Sequence, residues 1–143
     1  MTYKSQLGNF GENLACGYLV NNGYKIIDRN FRKPWGEIDI IAKAPDKTLV
    51  FIEVKTMEES SEGLKPEDQL TSSKLQKLKR TASLYAGHRQ ELIDNEKGWR
   101  IDLIAITTKV KYGKFTEGIY PELVEGLTII NKDVVIKHYK NIG

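Results

Sequence analysis

Cysteine and histidine are scarce in this sequence, and their scarcity excludes several kinds of site. Cys16 is the only cysteine among 143 residues, so one chain can form neither an intrachain disulfide nor a thiolate-based zinc site. Only two histidines occur, His88 and His138, and they lie far apart in the sequence. A histidine-rich metal centre is therefore not expected, and any metal ion should be held by carboxylate oxygens. Such ligands suit Mg²⁺, Ca²⁺ or Mn²⁺.

Long apolar runs are also missing. Residues 1–6 show no apolar stretch behind a positive start, so no signal peptide is expected. No segment approaches the length of a membrane span. Because the lone thiol fits a reducing compartment, the sequence predicts a cytoplasmic protein with no membrane partner.

The charge balance is only mildly basic. Lysine and arginine number 22 against 19 acidic residues, and the net charge of +3 permits a nucleic-acid partner without requiring one. Hydrophobic residues make up 40% and charged residues 29%, which is an ordinary balance for a globular protein. We therefore expect residues 1–143 to form one domain with a buried core.

Two segments have the apolar spacing of amphipathic helices. Residues 6–21 repeat apolar side chains at intervals of three and four, and Gly23 follows as a helix stop. Residues 69–87 repeat the pattern, with Gln69 as the first residue of the predicted helix. The outer face of this second helix is basic and carries Lys74, Lys77, Lys79 and Arg80. The polar, acidic residues 57–68 between the helices predict a surface loop.

Strand patterns occur on both sides of the second helix, at residues 24–31, 37–42, 48–55, 99–107 and, more weakly, 127–130 and 134–139. Residues 48–55 are nearly all β-branched or bulky, which indicates a central strand buried on both faces. The order α-β-β-β-α-β predicts an α/β fold in which helices flank a central mixed β-sheet.

Three charged residues stand inside these apolar strands. Asp39 interrupts one strand, while Glu53 and Lys55 should share a face of the next because alternate side chains point the same way. A three-residue loop at 45–47 would place Asp39 opposite Glu53, with β-carbons about 4.5–5.5 Å apart, and Glu37 opposite Lys55. Two carboxylates that close repel each other unless a cation lies between them.

These residues have the chemistry of phosphodiester hydrolysis. A divalent cation on Asp39 and Glu53 would polarise the phosphate and lower the pKa of a bound water, and Lys55 could orient that water or neutralise developing charge. The backbone carbonyl of Val54 is a further candidate ligand, and Glu12 on the first helix could reach the same cluster. From the residues alone, a buried ion-pair network of Asp39, Glu53 and Lys55 without catalysis is the alternative.

Basic and aromatic residues flank the candidate site. Lys74 and Lys77 could contact phosphates, although a solvated helix face explains them equally well. A second group consists of Arg29, Arg32, Lys33 and Trp35. Its basic side chains could hold a nucleic acid, and Trp35 could stack on a base. For Trp35, packing within its turn is the alternative. Asp102 is expected to form a structural salt bridge with Arg100 or a neighbouring lysine, and Cys16 to pack in the core.

The whole pattern resembles the PD-(D/E)XK nuclease superfamily, and more narrowly the YraN family of bacterial proteins grouped with Holliday-junction-resolvase-like enzymes. The matching stretches follow one another along nearly the whole domain: Gly11-Glu12-Asn13-Leu14-Ala15, Gly23-Tyr24, Arg29-Asn30-Phe31-Arg32, Gly36-Glu37-Ile38-Asp39-Ile40-Ile41-Ala42, Val50-Phe51-Ile52-Glu53-Val54-Lys55 and Arg100-Ile101-Asp102-Leu103-Ile104. The resemblance implies a restriction-endonuclease-like fold with an acidic-and-lysine site made of Glu12, Asp39, Glu53 and Lys55.

The expected function is that of a Mg²⁺-dependent or Mn²⁺-dependent endonuclease that hydrolyses phosphodiester bonds in DNA, including branched or structured DNA. A non-catalytic nucleic-acid-binding module on the same fold is one alternative, and a structural adaptor with a buried ion pair is another. The four residues of the acidic-and-lysine site favour the nuclease, because a pure binder has no use for carboxylates facing a polyanion. Symmetric cutting of a junction would require a homodimer.

Overall fold

The computed structural model describes residues 2–59, 62–109 and 134–143. In the order of the chain, its helices and strands are α1 (Tyr3–Asn21), β1 (Lys25–Lys33), β2 (Gly36–Lys43), β3 (Leu49–Glu58), α2 (Ser72–His88), β4 (Trp99–Thr108) and β5 (Val134–Tyr139). Two short 3-10 helices, Pro66–Gln69 and Gln90–Leu92, precede and follow α2. The predicted strand at residues 127–130 lies outside the described residues.

One five-stranded sheet joins all of these strands in the order β1-β2-β3-β4-β5. The β3 and β4 strands are parallel, and the other three neighbouring pairs are antiparallel. The predicted central position of β3 is confirmed, because this strand has two neighbours and its first four side chains are fully buried. The expectation of a mixed sheet in an α/β fold is confirmed as well.

The two helices cover opposite faces of the sheet, and alternate strand residues point to each. On one face, Leu14 and Leu19 of α1 pack with Val50 and Ile52 of β3. On the other, the apolar side of α2 packs with Phe51 and its neighbours. Each fully buried aliphatic or aromatic side chain stabilises the fold by about 1.5–3 kcal/mol. Neither α1 nor α2 is both long and apolar enough to cross a membrane.

A close approach between α1 and β3 sets the position of the first helix. A β-carbon on Gly11 would lie 1.7 Å from Oγ1 of Thr56, so a larger residue would force either the Thr56 side chain or the helix to shift. Glu12, the next residue, is thereby held at the end of the sheet where Asp39 lies. The helix itself begins where Oγ1 of Thr2 accepts the backbone N–H of Ser5 at 3.1 Å.

The β2–β3 hairpin has the predicted three-residue loop. The N–H of Ala44 donates to the carbonyl of Thr48 at 2.9 Å, and the N–H of Lys47 donates to the carbonyl of Ala44 at 2.9 Å. Lys47 adopts a positive φ of 78°, and Asp46 accepts the N–H of Thr48 at 3.0 Å. The resulting register pairs Ala42 with Val50, as the sequence predicted.

The start of α2 differs from the sequence prediction. The helix begins at Ser72, not at Gln69, which instead ends the preceding 3-10 helix. The cause is the Thr71 side chain, whose Oγ1 accepts the N–H of Lys74 at 3.2 Å and caps the helix. The expected role of Gln69 as the first helical residue is therefore wrong. The predicted loop at 57–68 also begins too early, because β3 pairs with β4 as far as Glu58.

A buried polar network fastens the C-terminal strand to the rest of the sheet. Asp102 is fully buried and accepts from Nε of Arg100 at 2.9 Å, which is the expected salt bridge. Its other partners are Nε2 of His138 at 2.7 Å and the backbone N–H of Asn141 at 2.9 Å. The ring of His138 also hydrogen-bonds the Tyr18 hydroxyl at 3.1 Å. Burial raises the pKa of Asp102, but these hydrogen bonds outweigh it and hold the pKa below its usual value.

Candidate active site

Asp39 lies where the regular pairing of β2 with both neighbours is interrupted. The β2–β3 ladder ends at Ile40 paired with Ile52, one position before Asp39 and Glu53. Beyond that point the N–H of Val54 donates to Oδ2 of Asp39 at 2.8 Å. The register is the predicted one, but Glu37 and Lys55 lie past the paired part of the hairpin, so they do not form the expected ladder pair. The Asp39 and Glu53 carboxyl groups therefore lie just past the last regular β2–β3 pair.

Three carboxyl groups and one ammonium meet at this point. The Asp39 carboxyl interacts directly with that of Glu53 from β3 and with that of Glu12 from α1. The Nζ atom of Lys55 lies 3.3 Å from Oε1 of Glu53, on the same side of β3. Both of these side chains are about one-fifth exposed, so they are accessible from solvent without being surface groups. The structure therefore brings together all four residues of the predicted acidic-and-lysine site.

The carboxyl groups resist being charged together. Burial and the neighbouring Asp39 raise the pKa of Glu53 to about 7. Burial also raises the pKa of Asp39, against the lowering effect of the Val54 N–H. The pKa of Glu12 is raised by burial and then by Asp39. Such a cluster favours either bound protons or a bound cation, because each relieves the same repulsion.

The donor set suits a small, hard cation that retains water ligands. In residues 2–59, 62–109 and 134–143, no three aspartate, glutamate, histidine or cysteine side chains converge as a ligand set for one metal ion. Mg²⁺ is commonly held by only one or two carboxylates, with waters and substrate oxygens completing its shell. The Asp39–Glu53 pair fits that pattern. The contact seen at Val54 is through its N–H, and a ligand role for its carbonyl stays a prediction.

Glu53 opens into a cleft between α2 and the start of β2. The cleft has a volume of about 280 Å³, and two carboxylates, Glu37 and Glu53, share it with three lysines. These lysines are Lys33, Lys74 and Lys77, all of which the sequence suggested as nucleic-acid contacts. Lys74 and Lys77 are exposed on α2 beside Glu53, and their contact with a nucleic acid stays a prediction. The lining of the cleft thus combines carboxylates with lysines.

A second basic group lies on the α1 side of the carboxyl cluster. Arg29 and Arg32 are exposed, and their charges oppose the effect of burial on the pKa of Glu12. The Nη2 atom of Arg29 donates to Oδ1 of Asn13 at 2.8 Å. Trp35 is 45% exposed in the β1–β2 turn, so part of its surface is accessible to a ligand. Basic side chains therefore stand on two sides of the cluster.

The fold and this site define a class of protein: an α/β domain, consistent with a restriction-endonuclease-like fold, that carries clustered carboxylates and a lysine on its central hairpin. The family model described as "Uncharacterised protein family UPF0102" matches residues 11–106. The chain belongs to the UPF0102 family, which confirms the resemblance to the YraN family. The match includes Glu12, Asp39, Glu53 and Lys55.

The relatives are bacterial UPF0102 proteins. The chain is 45% identical over 104 residues to one from Thermodesulfovibrio yellowstonii, covering 73% of this chain and 88% of that protein. A UPF0102 protein of Caldicellulosiruptor bescii is 42% identical over 101 residues, covering 71% and 82%. One from Clostridium botulinum strain Loch Maree is 45% identical over 101 residues, covering 70% and 78%.

Glu53→Gln should stabilise the metal-free protein at alkaline pH and have little effect at acidic pH. The folded-state pKa of about 7 lies above the ordinary 4.5, so wild-type stability is fully present below pH 4.5 and falls as the pH rises through 7. Glutamine mimics the protonated acid at every pH. The variant should gain up to about 3 kcal/mol over wild type at pH 8.

Chemical denaturation of chelator-treated protein at pH 4 and pH 8 measures this difference. Glu96→Gln removes the same charge from an exposed turn and should change stability by less than about 0.5 kcal/mol at either pH. A Glu53→Gln variant that is less stable than wild type at pH 8 would show that the charged form of Glu53 does not destabilise the folded protein.

Proposed function

We propose that this protein is a metal-dependent endonuclease that hydrolyses phosphodiester bonds in DNA, with branched or structured DNA as its substrate. The observation that carries this proposal is the Asp39–Glu53 carboxyl pair: Nζ of Lys55 lies 3.3 Å from Glu53, and Glu53 itself lines a cleft that it shares with three lysines. Carboxylates that faced a polyanion without a cation would repel it. A cation between the two resolves that conflict.

Each part of the site has a distinct task in this proposal. Asp39 and Glu53 would hold Mg²⁺ or Mn²⁺, which when bound supplies a Lewis acid for the phosphate and lowers the pKa of a water molecule. The hydrogen bond from the Val54 N–H keeps the Asp39 carboxyl aimed away from its own strand. Lys55 offers a positive charge where negative charge develops on the phosphate. Glu12 contributes a third carboxyl from α1.

The basic residues would hold the nucleic acid. Lys33, Lys74 and Lys77 line the cleft beside Glu53, and Arg29 and Arg32 stand on the α1 side. A strand whose phosphates contact both groups would cross the carboxyl cluster between them. Contacts of this kind are sequence-independent and weaken steeply with salt. They suit an enzyme that selects the shape of its substrate.

Wild-type protein should cleave a labelled DNA substrate with Mg²⁺ or Mn²⁺ and lose that activity in a chelator. The panel should hold a linear duplex, a flap and a four-way junction, with a matched RNA as a further substrate. Mn²⁺ should also raise the melting temperature, since ligand at 100 times its Kd stabilises the folded state by about 2.7 kcal/mol. Asp39→Asn should abolish cleavage and reduce the melting shift.

The matched control is Asp46→Asn, an exposed carboxyl on the turn at the far end of the same hairpin. It should retain both cleavage and the melting shift. Salt-sensitive DNA binding without cleavage under any metal would support the binding-module alternative. No metal-dependent shift and no DNA binding would support the adaptor with a buried ion pair.

A further inference from the structure

The Asn30 side chain touches the carboxyl cluster from the edge of the sheet. With its amide turned so that both polar atoms are satisfied, its nitrogen lies 3.1 Å from Oε2 and 3.3 Å from Oε1 of Glu12. Glu12 in turn interacts with Asp39. The Asn30 amide therefore contacts the Glu12 carboxyl directly and is linked to Asp39 only through Glu12.

The backbone at Asn30 departs from the strand in a way that serves this contact. Its φ is +53°, a left-handed conformation that is uncommon for residues other than glycine and is favoured by asparagine among them. The β1–β2 register runs from Arg29 paired with Ile40 to Phe31 paired with Ile38, which places Asn30 beside Asp39. Glycine would adopt this conformation at lower cost. Asparagine adds an amide that glycine lacks.

We infer that Asn30 is a positioning residue that holds the Glu12 carboxyl against Asp39. Glu12 contacts Asp39, and the Asn30 nitrogen lies within hydrogen-bond distance of both Glu12 carboxyl oxygens, so this amide orients the carboxyl without adding charge. Arg29 and Arg32 also act on Glu12, but through their charges and without a hydrogen bond that fixes its carboxyl. This inference rests on the proposed function, because the orientation matters only if the cluster holds a cation.

The contact itself can be tested in metal-free protein. Asn30 is exposed, so the test is the change in its side-chain amide signal in a ¹H–¹⁵N spectrum when its partner is removed. Glu12→Ala should shift that signal, whereas Glu96→Ala, in an exposed turn, should leave it in place. An Asn30 amide signal that does not respond to Glu12→Ala would overturn the inference, whatever the activity of the protein.

The positioning role is tested with Asn30→Gly, which accepts the left-handed backbone and removes only the amide. Calorimetric titration should show Mn²⁺ affinity about 10-fold weaker than in wild type, the size expected when a hydrogen bond to a ligand is lost. The rate of cleavage at saturating DNA should fall with little change in KM. Asn141→Gly is the matched control, since Asn141 has a φ of +56° and lies in the C-terminal segment.

The outcomes separate this inference from the proposed function. If wild type binds Mn²⁺ and cleaves DNA but Asn30→Gly does so equally well, the positioning role is wrong and the nuclease proposal stands. If Asn141→Gly loses as much affinity as Asn30→Gly, the effect comes from the backbone and the inference again fails. If wild type binds no Mn²⁺ and cleaves none of the DNA substrates, the proposed function is wrong, and the positioning role is then wrong as well.

Discussion

Lys55→Ala should lower the rate of DNA cleavage by about 10²–10³-fold while DNA affinity changes only a few-fold. A loss of rate of this size is typical when one preorganised group that stabilises transition-state charge is removed. The Nζ atom of Lys55 lies 3.3 Å from Oε1 of Glu53, and in the proposed function it meets charge that develops during the reaction. An interaction made only in the transition state affects turnover and not ground-state binding.

Single-turnover cleavage and gel-shift measurements on the same structured DNA separate these two effects. Lys97→Ala removes a lysine from an exposed turn and should leave both unchanged. A double change of Lys74 and Lys77 to alanine should do the opposite of Lys55→Ala, by weakening binding and flattening its dependence on salt. Cleavage by Lys55→Ala at the wild-type rate would mean that this cluster is not the active site of a nuclease.

Asp102→Ala should destabilise the protein by about 3–5 kcal/mol. Asp102 is fully buried, and its removal would leave the Arg100 guanidinium, the His138 ring and the Asn141 N–H without their acceptor. Breaking one side of a buried charged network has a cost of this size, because the remaining charge stays desolvated. Small proteins have total stabilities of about 5–15 kcal/mol, so the loss should be evident in chemical denaturation.

A variant that remains folded keeps this prediction measurable. The double change Asp102→Leu with Arg100→Met removes both charges and replaces them with apolar side chains of similar size. It should lose much less stability than Asp102→Ala, because no unpaired guanidinium is left in the interior. Equal losses in the two variants would show that the network contributes through packing and not through charge.

Periodicity in the sequence was sufficient to predict the elements and the central strand. The run from Leu49 to Val54 is apolar at nearly every position, which only a strand buried on both faces tolerates, and β3 is the middle strand of the sheet. The three-residue hairpin loop followed from Pro45-Asp46-Lys47, and that loop fixes the register. Local chemistry was enough here, because a tight turn and two apolar strands leave few registers open.

Other features depended on contacts that no local pattern encodes. The start of α2 was placed three residues too early, because the apolar period continues through Leu70 while the cap at Thr71 decides where the helix begins. His138 was judged only by its distance from His88 along the chain. Its alternation with Val134 and Ile136 was a signal for an inward position, but Asp102, its partner, lies 36 residues away.

For the candidate site, the sequence by itself determined the residue types and the face that Glu53 shares with Lys55, since alternation along one strand is a local property. Tertiary structure decided the rest. Glu12 reaches Asp39 because Gly11 lets α1 lie against Thr56, and Lys33, Lys74 and Lys77 surround Glu53 because α2 packs beside the start of β2. The amide of Asn30 contacts Glu12 only through a left-handed backbone turn in β1. These contacts between side chains of different elements depend on how the helices and strands pack. That packing is set by residues that are distant in the sequence.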